Sequence, residues 1–273
     1  MKKWLIVSFW LLFSLGVLII IFAANSAQSS TVVNKPEILI HVKGEFTFLT
    51  EDELYLRLTR NGLLFDGQTQ AELDVNKIER FIEKMSEVKS VKVYTSIGQN
   101  WNVDVTLRNP LARVFNNKGE SFYIDDEGKL MKLSEAHVAK VLVFSGEIPD
   151  DANSVNVQEI INNESLKNSK KLDEIYRISN YVCNDPLLHA LVGQVYIQKS
   201  GDLLIVPLVG GQIIEFGSAN SGKEVAEKFS KLKIFYREAI PFEGWDKYDK
   251  ISLKYNNQIV CTKKKELTKE KQN

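Results

Sequence analysis

The sequence predicts an α+β protein: one N-terminal transmembrane helix, a small β-α-α-β-β unit, then a mostly antiparallel β unit with flanking helices. Three observations carry that prediction. Trp4 to Ala24 holds no charged side chain, and about 21 residues at 1.5 Å rise reach roughly 30 Å, a bilayer's hydrocarbon thickness. Residues 36–108 switch between strand and helix periodicity in the order β-α-α-β-β. Beyond them, short apolar strands follow one another across turn signals without strand–helix alternation, which argues against a doubly wound parallel sheet. The 273 residues are 44% hydrophobic and 26% charged, which excludes a disordered or collagen-like chain. Thirty-five basic against 35 acidic side chains leave no net charge and no basic stripe for nucleic acid.

Lys2 and Lys3 precede the apolar span, and the next basic residue is Lys35. The positive-inside rule therefore puts residues 1–3 in the cytoplasm and exports the bulk of the chain, N-in and C-out. A cleaved signal peptide ending near Ala27 is the rival, but its apolar core would run only about 7–15 residues. Both readings export the chain. Residues 25–35 (NSAQSSTVVNK) read as a polar linker. Outside the cytoplasm Cys183 and Cys261 have two readings, one disulfide or two buried free thiols. Sequence leaves both open.

Residues 36–108 open with Glu37 to Val42, whose Ile38, Ile40 and Val42 share one strand face. Thr50-Glu51-Asp52-Glu53 is a capping box that starts a helix carrying Leu54 and Leu58 and stopping at Asn61-Gly62. Val75, Ile78, Ile82 and Met85 mark a second helix. Val91 to Thr95 and Trp101 to Leu107 are strands joined by a turn at 96–100, the second alternating cleanly through Trp101, Val103, Val105 and Leu107. In residues 109–262, strands are expected at 111–115, 121–124, 129–132 and 138–144, and a helix at 169–183. Strands at 192–198, 202–208 and 212–216 follow, joined by Lys199-Ser200-Gly201 and Val209-Gly210-Gly211. A helix over 223–240 precedes a last hairpin, Ile251–Tyr255 and Gln258–Thr262 across Asn256-Asn257. Residues 263–273, rich in Lys and Glu, are expected to be disordered.

This order of parts resembles the bacterial cell division protein family FtsQ (DivIB), in its Bacteroidetes form. Residues 36–108 resemble a POTRA domain. Val105-Thr106-Leu107-Arg108-Asn109-Pro110-Leu111-Ala112 is similar to the family's strand followed by Arg-x-Pro-x-Ala. Ser121-Phe122-Tyr123-Ile124-Asp125 with Gly128 resembles its Tyr-Ile-Asp…Gly hairpin, and Ile251–Tyr255 with Gln258–Cys261 resembles its closing hairpin. The resemblance implies a divisome scaffold in the inner membrane at the septum, with its bulk in the periplasm. It also implies FtsB/FtsL-type single-span partners, with upstream division proteins docking on the POTRA-like unit. Tyr255 matches the family's Leu-basic-Tyr motif, so Tyr255, Gln258, Ile259, Val260 and Cys261 are the expected partner site. The competing reading packs Tyr255 in the core with Ile251 and Leu253.

Enzyme signals are weak. Gly217-Ser218-Ala219-Asn220-Ser221-Gly222-Lys223 follows a strand and opens a helix, the setting of a phosphate-binding loop. The Ser or Thr that should follow the Lys is Glu224, a carboxylate facing where phosphates would lie. Asp125-Asp126-Glu127 lacks calcium-loop spacing. His41, His137 and His189 stand apart from one another and from any Gly-x-Ser-x-Gly elbow. No catalytic residue, metal or cofactor is expected. An exported hydrolase or nucleotide binder acting through Gly217–Lys223 is the alternative.

Overall fold

The computed structural model describes residues 2–44, 47–96, 98, 100–133 and 138–264. Two units emerge, Met1–Leu107 and Arg108–Asn273. His137 and residues 265–273 lie outside the described residues.

The first unit begins with α1, Lys2–Ser29. Trp10, Leu11, Leu12 and Phe13 are consecutive and all more than half exposed, so no single face of α1 is buried. The expected transmembrane helix over 4–24 is nevertheless not borne out. Among the described residues no helix is long and apolar enough to cross a membrane. The expected linker is also shorter than its range. Helix persists to Ser29, and Val32 then bridges Thr69, flanked by Val33 N to Gln68 O and Gln70 N to Thr31 O, both 2.9 Å.

Strand β1 (Glu37–His41), α2 (Glu51–Arg60), α3 (Val75–Glu83), β2 (Val88–Thr95) and β3 (Trp101–Leu107) follow. The sheet order is β1-β3-β2, with β1 parallel and β2 antiparallel to β3. Only half of the capping box forms. Thr50 Oγ1 accepts from Glu53 N at 3.2 Å, but the Glu53 carboxylate turns to Arg57, which also reaches Glu87 at 2.6 Å. Leu54, Leu58, Ile78 and Ile82 press on Trp101, Val103, Val105 and Leu107, the alternating face of β3.

The second unit is one nine-stranded sheet. Its elements are β4 (Pro110–Phe115), β5 (Ser121–Asp125), β6 (Leu130–Met131), β7 (Leu142–Gly146), α4 (Val157–Ile161), α5 (Glu164–Lys167), α6 (Leu172–Cys183) and α7 (Pro186–Leu191). Then come β8 (Val192–Ile197), β9 (Leu203–Pro207), β10 (Ile213–Gly217), α8 (Gly222–Ile234), a π-helical turn Phe235–Ala239, α9 (Ile240–Glu243), β11 (Tyr248–Ser252) and β12 (Val260–Lys263). The order is β12-β11-β10-β9-β8-β7-β4-β5-β6. Antiparallel pairs are the majority, but β4–β7, β7–β8 and β10–β11 are parallel. The expected mostly antiparallel sheet is thus a mixed one, because the chain crosses back through the helices to a parallel neighbour where antiparallel pairing was expected. α4 to α7 join β7 to β8, and α8 to α9 join β10 to β11.

In the last hairpin the first strand sits earlier than expected and the second slightly later, pairing Ile251 with Cys261 and Ser252 with Val260. Beyond Ser252 the chain stays against β10: the Leu253 N–H donates to Glu215 O at 2.9 Å and its side chain is fully buried. Asn257 then takes a left-handed turn at φ 58°, a conformation Asn tolerates better than most residues.

Candidate partner-binding edge

β12 is the terminal strand of the nine-stranded sheet, hydrogen-bonded on one side to β11 and, among the described residues, on the other to no strand. An unpaired edge offers a row of backbone donors and acceptors to an incoming strand. Of the expected partner residues, Val260 and Cys261 lie in β12, Ile259 just before it, and Tyr255 and Gln258 in the preceding loop. Val260 is 42% and Tyr255 51% exposed, while Ile251 and Leu253 are fully buried. The core reading of Tyr255 is therefore corrected: the strand ends at Ser252, and Tyr255 turns outward with the loop. Lys231 Nζ on α8 fixes that loop by donating to Tyr255 O at 2.8 Å.

The structure adds residues that sequence reasoning missed. Asn257, Gln258 and Ile259 form a cleft of about 350 Å³ with Lys231, Ile234, Phe235, Ala239 and Glu238. Ile234 was the available signal, an apolar residue off the buried face that Val225, Phe229 and Leu232 define on α8. Past the edge, Lys264 Nζ lies 3.5 Å from Asp246 and Lys264 N donates to Lys247 O. Lys263, expected in a disordered tail, closes β12 opposite Tyr248. Cys183 and Cys261 are both free, but not as the expected buried thiols: Cys183 is exposed and Cys261 half-buried, and partial desolvation pushes each thiol upward from its ordinary value.

The phosphate-loop resemblance ends at Glu224. Its carboxylate accepts from Ser218 Oγ at 2.6 Å and from Asn220 N at 3.0 Å, and takes Lys228 Nζ at 2.6 Å. Lys228, nearly buried, also donates to Ser218 O at 2.7 Å. The amide a phosphate would need is spent on the chain's own acid. Lys223 points away, with its side chain 87% exposed. Burial alone would raise Glu224, but hydrogen bonds from Lys228 and Ser218 and the Lys228 charge outweigh it and hold the carboxyl below 4.5. A depressed carboxyl contributes stability above its unfolded value and loses that contribution as pH falls through its folded one. Glu224→Gln should therefore unfold at lower temperature than the parent at pH about 7, with the gap closing near pH about 3. Thermal melts at both pH values check this; a gap that widens in acid would contradict it.

The two junction motifs meet in a buried tie. Arg108 Nη1 donates to Asp125 Oδ2 at 2.9 Å, and the Asp125 side chain is 1% exposed. Asp125 Oδ1 accepts from Glu127 N at 2.9 Å and Lys129 N at 2.7 Å, which shapes the turn containing Gly128. Gly128 has φ +77°, and a Cβ there would lie 2.8 Å from Val157. Arg-x-Pro-x-Ala and Tyr-Ile-Asp…Gly are thus one structural element.

The family described as FtsQ/DivIB, C-terminal related, matches residues 109–262, and the POTRA-like domain matches residues 31–106. The chain belongs to the FtsQ/DivIB family. No curated protein matches it. FtsQ/DivIB proteins are cell-division proteins, in general scaffolds rather than enzymes, and the POTRA-like match covers the unit built on β1-β3-β2.

Proposed function

We propose that this chain is a membrane-tethered divisome scaffold that binds FtsB/FtsL-type single-span proteins by adding a partner strand to β12. The open edge at β12 is the observation that carries the proposal. Strand addition suits it: main-chain bonds supply affinity, while Val260 and Tyr255 offer side chains that choose among partners. The Lys residues after Cys261 guard the edge against indiscriminate pairing. An enzymatic role through Gly217–Lys223 has lost its support, since Glu224 fills the loop.

The tether is residues 4–24, supported by the uncharged run and by Lys2 and Lys3 before it. Protease added outside spheroplasts should digest everything beyond about residue 25, leaving a small membrane-bound fragment. A protected C-terminal unit, or a mature N-terminus near Gln28, would overturn the N-in, C-out arrangement at the inner membrane.

The POTRA-like unit recruits the chain to the septum by docking upstream division proteins. Its two sheet edges differ. At β2, Val93 N already donates to Glu79 Oε2 of α3 at 2.8 Å, which leaves β1 as the better docking edge. Deleting residues 36–106 should scatter the protein from mid-cell while the second unit stays folded. Normal septal placement of the deletion would count against this role.

A further inference from the structure

The outer face of α8 carries an apolar side chain that the core does not use. Val225, Phe229 and Leu232 are buried, while Ile234 lies off their face and is 46% exposed. Ile234 belongs to two hollows at once. One is the cleft of Asn257, Gln258 and Ile259 beside β12. The other, of about 820 Å³, lies between α7 and α8 and is walled by Leu187, Leu191, Val209, Ile234, Tyr236 and Trp245. That volume falls among binding pockets, about 300–1,000 Å³. Leu187 and Val209 are each 48% exposed and Trp245 43%. Single exposed apolar residues are ordinary, but several meeting in one hollow mark an interaction surface.

The walls are already fixed. Lys233 Nζ donates to Asp185 Oδ2 at 2.6 Å, a strut from α8 to the start of α7, and Asp185 Oδ1 caps α7 by accepting from Leu187 N and Leu188 N, both at 3.1 Å. Gln212 Nε2 donates to Tyr236 Oη at 2.6 Å, and the Trp245 ring lies 5.7 Å from the Tyr236 ring. Ordered walls lose little freedom when a partner docks. The π-helical turn Phe235–Ala239 stands between the hollows, with Phe235, Glu238 and Ala239 on the cleft and Tyr236 and Arg237 on the pocket. Such turns within α-helices are frequent at functional sites. Lys231, Lys233 and Arg237 line the two hollows against Asp185 and Glu238. One cation is in excess, which suits an apolar segment whose polar side is neutral or acidic.

We propose that the pocket between α7 and α8 holds apolar side chains of the segment adjoining the partner's added strand. The shared Ile234 commits the pocket to that occupant. A chain leaving the β12 edge at Ile259 enters the cleft, and only the width of α8, about 10–12 Å, separates it from Leu187 and Val209. About four extended residues or about eight helical ones cover that distance. The inference rests on the strand-addition reading and extends it to a second contact.

The test is equilibrium binding of the partner's extramembrane region to the full chain in detergent. Leu187→Glu with Val209→Glu alters the pocket but not the cleft. Both side chains are half exposed, so the melting temperature should hold while binding weakens at least about tenfold. Val260→Pro, measured beside it, reports on strand addition. A double variant that binds within about twofold of the parent overturns the pocket. If Val260→Pro then weakens binding, strand addition stands; if neither does, both fall. Should the two glutamates lower the melting temperature, photo-cross-linking in the full chain decides instead. Benzoylphenylalanine at Leu187 should capture the partner that position 260 captures, and at Glu159, exposed on α4, should not. An adduct from 260 without one from 187, or equal adducts from 187 and 159, overturns the proposal.

Discussion

Asp125→Ala should cost the second unit about 3–5 kcal/mol, the usual loss when one partner of a buried ion pair is removed. The carboxylate holds three groups at once: the Arg108 guanidinium and the amides of Glu127 and Lys129. Without it, a largely buried guanidinium and two turn amides lose their acceptor together. Asp125→Asn keeps an acceptor for the amides while removing the charge, so its loss should be smaller. Urea unfolding of the parent and both variants measures the difference. An alanine variant within about 1 kcal/mol of the parent would show that the tie contributes little.

The second large effect is on binding. Tyr255→Ala should weaken partner capture by about 2 kcal/mol, roughly 30-fold, as expected for an exposed aromatic anchor. Val260→Pro should also weaken capture, by loosening the edge strand itself, since Val260 is paired with Ser252 of β11 and a proline there removes a bond of that ladder. Neither change removes core packing, because Val260 and Tyr255 are both substantially exposed. Equilibrium binding to the single-span division partner, with thermal melts as the folding control, separates the cases. Variants that melt normally and bind as tightly as the parent would exclude the C-terminal edge.

The first unit was the more legible in sequence. Its signals are local: the Thr50 cap, the spacing of Leu54 and Leu58, and the alternation from Trp101 to Leu107 each need only a few neighbours. In the second unit the order of the strands was harder to see. α4 and α5 have five and four residues, too few for a 3.6-residue period to register, so in the crossover from β7 to β8 only α6 was legible. The shift of the last hairpin was also hidden. Leu253 keeps the strand's inward position beside Ile251 and its N–H still bonds Glu215 of β10, 38 positions away, but the pairing with β12 has already stopped at Ser252. The same shift decides the site, since it ends β11 at Ser252 and turns Tyr255 outward. Glu224 was read correctly as a misfit in a phosphate loop. That its carboxylate would fill the loop itself depends on Ser218, Asn220 and Lys228 meeting around it.

The most direct test of strand addition at β12 is photo-cross-linking in dividing cells, with benzoylphenylalanine placed at Val260 in the full chain. Lys92, exposed on β2 of the first unit, serves as the control position. The account predicts a covalent adduct from position 260 to an FtsB/FtsL-type single-span protein, absent from position 92. An adduct from neither position, or from position 92 alone in cells that divide normally, would contradict it.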